Sequence, residues 1–160
     1  MREVLLEEKV TLMSIPGKGM CGILLPTSCD LTRDGLCDDK QFDMHAASKL
    51  FKVNRMVGEY TVKYGARVFY LGTYKNKNAG VFRLFSFPVR HGIQDYCDAT
   101  VISNSCEQLL RMQTKFTCDV FLLPFVGGDL GMDSYVNCLK PIFDVMFDDK
   151  FIMVHREGIV

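Results

Sequence analysis

Between an apolar run and an amphipathic one the chain reads LLPFVGGDLGMDSYV, Leu122 to Val136, with three glycines and an acid inside five residues. Glycine reaches positive φ and lets a ligand approach bare amides, and a helix starting just beyond offers unpaired N–H donors. A phosphate or diphosphate suits such a turn, although a plain chain reversal would use the same residues. The candidate contacts are Gly127, Gly128, Asp129, Leu130, Gly131 and Met132. A carboxylate facing a phosphate repels it, so Asp129 is expected to turn aside or to accept from a ligand hydroxyl.

A second stretch, PTSCDLTRDGLCDDKQFDMHAAS from Pro26 to Ser48, gathers acids, thiols and a histidine. Asp38, Asp39, His45 and Cys37 are the types that move protons or attack electrophiles, and Cys29 or Cys37 is a candidate thiol nucleophile. The plain alternative is a solvated acidic loop. A second glycine cluster, GKGMCG at Gly17 to Gly22, matches the dinucleotide fingerprint by letter. That fingerprint needs a helix after it. The residues that follow, ILLPT, read as a strand, so this cluster is expected to be a mobile loop.

The seven cysteines form no CxxC pair, and His45, His91 and His155 are not at metal-ligand spacing. Reduced, mostly buried thiols are expected, with no metal and no cofactor. Lys plus Arg equals Asp plus Glu at 19 each, so charge gives no nucleic-acid signal. No apolar run reaches membrane-spanning length, and MREVLLEEKV has no apolar signal core, so the expected location is the cytoplasm.

These residues need a scaffold. Short runs rich in branched and aromatic residues predict strands at Val4–Thr11, Gly22–Pro26, Arg67–Tyr74, Gly80–Phe87, Asp119–Pro124 and Lys150–His155. Several are apolar on nearly every residue, which requires cover on both faces and puts Leu122–Pro124 in the sheet's interior. Ile102, Cys106, Leu109 and Leu110 form a helical stripe that Asp98 or Thr100 would cap. Val136, Leu139, Phe143 and Met146 form another, with Pro141 either kinking it or opening a fresh turn. Residues 43–64 predict one or two helices with Asn54 as the break. At 160 residues, the expectation is a single α/β domain spanning 1–160. It would be a three-layer α/β/α sandwich with a mixed sheet.

In this order, the segments resemble the macro domain family, in particular the small macro-like proteins of phage and bacterial genomes. FRLFSFPVRH is similar to the family's strand ending in Ser-Phe-Pro-x-Lys/Arg-His, and CDATVISNSCEQLLRM to the helix after it. LLPFVGGDLGMDSYV resembles the family's glycine-rich phosphate loop, and DDKFIMVHR its closing strand. The middle, LFKVNRMVGEYTVKYGARVFYLG, is similar to the family's helix running into its next strand, so the likeness runs from about residue 22 onward. It implies binding of ADP-ribose or a related nucleotide, in the host cytoplasm if the gene belongs to a phage. Gly127 to Met132 would hold the phosphates, and Thr27, Ser28 and Asp39 would lie in the loop near the distal ribose. That first loop departs from the family. Thr27 and Ser28 stand near its usual Asn, Asp39-Lys40-Gln41-Phe42 replaces its glycine run, and Lys9 falls near its adenine-reading acid. The expectation is a binder without catalysis. The alternatives are a hydrolase or phosphatase of ADP-ribosyl compounds, and a domain that binds a protein partner.

Overall fold

Along one central strand Ile23 and Leu25 face one side of a sheet while Leu24 faces the other, and all three are fully buried. The computed structural model describes residues 1–156 other than Glu8, Pro16, Lys18 and Ala79. Its strands are β1 (Arg2–Leu6), β2 (Met20–Ser28), β3 (Tyr70–Lys75), β4 (Val81–Arg90), β5 (Val120–Pro124) and β6 (Phe151–Arg156). They form one mixed sheet in the order β1-β6-β5-β2-β4-β3, parallel throughout except where β3 meets β4. Helices α1 (Phe42–Phe51) and α2 (Val53–Tyr64) cover one face, sharing a core with Ile23, Leu25, Leu84 and Leu122. The other face meets α3 (Ala99–Met112) and a last helical run through Leu24, Phe85, Phe87, Phe121 and Met153. That run comprises α4 (Met132–Ser134), a π turn at Tyr135–Leu139 and α5 (Lys140–Met146). The three layers are those the strand patterns demanded, and β5 lies inside the sheet between β6 and β2.

Several boundaries differ from the sequence reading. Strand β1 is Arg2–Leu6 rather than Val4–Thr11, and its described register with β6 pairs Arg2 with Ile152 through Leu6 with Arg156. Leu12 and Met13 then turn inward on a 3-10 turn. The helical break falls at Lys52, not Asn54: Lys52 has φ of 55° and its N–H closes α1 on the Ser48 carbonyl. Strand β4 continues past Phe87 to Arg90, since Val89 is still buried in the core. Pro141 sits in the first turn of α5, just after the π turn, where its missing N–H is harmless. Asp98 caps α3 by accepting from the Val101 amide at 3.0 Å. In GKGMCG, Lys18 lies outside the described residues, while Met20 to Gly22 already belong to β2. No helix begins there, which removes the dinucleotide reading.

Candidate functional site

Strands β2, β4 and β5 run parallel, so their carboxyl ends open on one edge of the sheet, the usual ligand side of an α/β fold. A cleft of about 380 Å³ lies there. Pro26, Thr27 and Ser28 line it from β2, Arg90 from β4, and Phe125 to Asp129 from the turn after β5. Asp38, Lys40 and Gln41 close it from the first loop, with Ile93 and Gln94 opposite.

The turn is shaped by Gly127. Its φ is 98°, and an added Cβ would lie 2.5 Å from Leu139 Cδ1, so both backbone and packing exclude a side chain. Gly128 then starts a 3-10 turn through Leu130, and positive φ recurs at Gly131. Asp129 Oδ2 accepts the Cys97 N–H at 3.0 Å, tying this turn to the loop before α3. The carboxylate thus spends one oxygen inside the protein while remaining part of the cleft wall.

Arg90 reaches the cleft through an irregularity. Thr27 pairs with Pro88 and Ser28 with Arg90, so the register skips Val89. Proline cannot donate to the ladder, and a shift beside it re-aims the chain at the strand end. Arg90 Nη2 touches Cys97 Sγ at 3.7 Å, while its buried Nε has no hydrogen-bond partner among the described residues. A guanidinium-bearing residue lining the same cleft as the glycine turn favours an anion.

A groove of about 280 Å³ adjoins the cleft and shares Lys40, Gln41 and Phe125 with it. Phe42, His45, Pro124, Val154 and Arg156 complete its walls. Of the expected site residues, Thr27, Ser28, Gly127, Gly128 and Asp129 therefore meet in the cleft, whereas Leu130, Gly131 and Met132 lie beyond its lining. Asp39 also stands outside both linings, 3.8 Å from His45 Nδ1.

The candidate thiols Cys37 and Cys29 both titrate above an ordinary thiol. Burial pushes Cys37 up to about 12, with Asp38 and Asp39 adding to it. Burial, Asp30 and Asp98 also raise Cys29. A raised value works against the thiolate that a nucleophile needs. All seven cysteines are free, and four of them are buried. Among the described residues no three His, Cys, Asp or Glu side chains gather as metal ligands would. No helix among them is long and apolar enough to cross a membrane.

No family model and no curated protein matches the sequence. Solved structures do. The chain is similar to a macrodomain protein from Streptomyces coelicolor, with a TM-score of 0.65 and 12% identity over 98% of this chain and 100% of that one. It is also similar to the macrodomain of Mycobacterium tuberculosis DarG, at 0.61 and 12% over 96% and 97%. A third is Thermosipho africanus DarTG, solved in complex with ADP-ribose. It matches at 0.61 and 10% identity over 86% of this chain and 38% of that one. The chain has the macrodomain fold.

The sequence reading of this site missed Arg90, Lys40, Phe125 and Arg156. FPVRH did carry a signal for Arg90, a cation closing an apolar strand just after a proline. Phe125 was hidden because its place depends on distant partners. It lies 4.5 Å from the His155 ring and edge-on to Tyr135 at 4.8 Å. Tyr135 Oη donates to Glu3 Oε1 at 2.8 Å, His155 Nε2 lies 3.0 Å from the same oxygen, and Lys140 Nζ donates to Oε2 at 3.0 Å. This network braces the wall shared by cleft and groove. Burial pushes the Glu3 carboxyl up, but hydrogen bonds from His155, Tyr135 and Lys140 outweigh it and bring the value from 4.5 down to about 2. A folded value below the unfolded one stabilises fully above 4.5, and the contribution is lost as pH falls toward about 2. Glu3→Gln is therefore expected to lower Tm at neutral pH and to flatten its acid decline. Melting curves across that window check this, and an unchanged acid limb would remove Glu3 from the role.

Proposed function

We propose that the protein binds ADP-ribose or a closely related nucleoside diphosphate ribose across the joined cleft and groove, without turning it over. The observation that carries this is Arg90 lining the same cleft as the Gly127–Gly128 turn. Backbone amides and a guanidinium are complementary to a diphosphate. The Phe42 and Phe125 rings of the adjoining groove suit a base at the other end of the ligand. The similarity to a DarTG structure holding ADP-ribose supports the same ligand class.

Catalysis would need a water or side chain fixed near the anomeric carbon or phosphate, and misplacement of an ångström costs about 10²-fold. Thr27 and Ser28 are buried, and neither brings the amide of an Asn to the cleft. Asp38 carries a hydrolase reading as the second choice, because this acidic residue lines the cleft. Calorimetric titration with ADP-ribose is expected to show one site per chain, and chromatography of the incubated ligand is expected to show it intact. Turnover of an ADP-ribosyl ester, glycoside or phosphate that vanishes in Asp38→Ala would replace the binder with an enzyme. Absence of binding to any nucleotide would favour the protein-interaction alternative.

A further inference from the structure

At the amino ends of β2 and β4, the end of the sheet opposite the cleft, lies a second cavity of about 450 Å³. Its size is that of a small-molecule site. Leu50 and Phe51 wall it from the last turn of α1, Phe82 from β4 and Met13 from the 3-10 turn after β1. The Phe51 ring is held in place, stacked on Tyr74 at 3.9 Å and tilted against Phe82 at 6.2 Å. Leu50 lines the cavity while 67% exposed, an apolar side chain left in water.

Asn76 builds the walls before any ligand arrives. Its Nδ2 donates to the Met13 and Ile15 carbonyls at 3.1 and 3.3 Å, and its Oδ1 accepts the Asn78 and Gly80 N–H groups, both at 2.9 Å. The whole side-chain amide is thus spent on backbone. The first pair of bonds ties the 3-10 turn to the β3–β4 hairpin, and the second shapes the hairpin itself. Two hydroxyls of the lining, on Thr11 and Ser14, bond to each other at 2.9 Å. The charged groups of the wall are Lys75 and Lys77, and no Asp or Glu lines it. Neither lysine enters an ion pair among the described residues.

An apolar chamber edged only by cations complements a ligand with an apolar body and one negative end. A lysine can lay its stem along such a body and hold its ammonium in water beside the anion. A nucleotide, charged along its length, would have to shed water from its phosphates against Met13, Phe51 and Phe82. We propose that this cavity is a second ligand site that takes a small apolar carboxylate. It is separate from the cleft and groove: α1 starts at Phe42 in the groove and ends at Phe51 here, ten residues or about 15 Å away. The inference therefore does not depend on reading the cleft as a diphosphate site.

The test is an NMR titration of the isotope-labelled wild-type protein with 2-naphthoate and, separately, with its uncharged analogue 2-naphthamide. Amide shifts are expected to cluster at Met13, Phe51 and residues 75–78, with the carboxylate binding about tenfold tighter than the amide. Lys75 and Lys77 are exposed, so Lys75→Gln with Lys77→Gln is expected to keep the fold and to bring the carboxylate down to the affinity of the amide. Equal affinities in the wild type, or a preference that survives in the double variant, would overturn the proposal by removing the lysines from recognition. Shifts at Gly127 to Asp129 instead would place the probe in the cleft and overturn it too. No shift with either compound would mean that the cavity is a packing defect, and would leave the reading of the cleft untouched.

Discussion

Asp43→Asn is expected to lower the stability of the fold by about 3–5 kcal/mol, the usual cost of removing one partner from a buried ion pair. Asp43 has no exposed surface, and Arg156 opposite it is only 4% exposed. Without the carboxylate charge, the guanidinium keeps its burial and loses its counterion. The substitution also weakens the acceptor for the Leu12 amide, which fixes the 3-10 turn under α1. A domain of this size has roughly 5–15 kcal/mol in hand, so such a loss consumes a large share of it. Replacing both partners, Asp43→Leu with Arg156→Met, is expected to recover most of the stability, because no unpaired charge is then left in the core. Urea denaturation of the single and double variants reads this as a coupling energy. A loss below about 1 kcal/mol in Asp43→Asn would mean that water reaches the pair and that it behaves like a surface bridge.

That ion pair spans 113 positions in the chain, and no local pattern announces it. What was legible in the sequence is what local rules control. Apolar runs fixed β5 in the interior, a capping acid fixed the start of α3, and clustered glycines marked the turn after β5. Periodicity does not say where a strand loses its neighbour, so β1 ended earlier than its residues suggested and β4 later. Lys52 in a left-handed conformation is a choice made by the packing of α1 against α2, since lysine has no intrinsic liking for it. The candidate cleft was half legible. Thr27, Ser28 and the glycines lie on elements whose order was recognisable, whereas Arg90 depends on a register shift between two strands and Phe125 on a network anchored at Glu3.

The glycine turn also carries the sharpest test of binding, provided the right glycine is changed. Positive φ belongs to Gly127 and Gly131, not to Gly128, so a side chain at Gly128 meets no left-handed backbone. Gly128 lines the cleft at the start of a 3-10 turn. A valine there adds a branched side chain beside the amides on which a diphosphate would rest, without asking the backbone for a forbidden conformation. Gly128→Val is therefore expected to keep its melting temperature within a few degrees of wild type. It should weaken nucleotide binding by about 100-fold, equivalent to about 2.7 kcal/mol. Gly127→Val separates the two effects: its Cβ would collide with Leu139 and its φ would be strained, so that variant should lose the fold as well as the ligand. Arg90→Gln, with the strand end intact, is expected to weaken binding in the same direction by removing the charge beside the amides. Calorimetry paired with thermal melts checks all three proteins. A folded Gly128→Val protein that binds its ligand unchanged would place the phosphates elsewhere and detach the glycine turn from ligand binding.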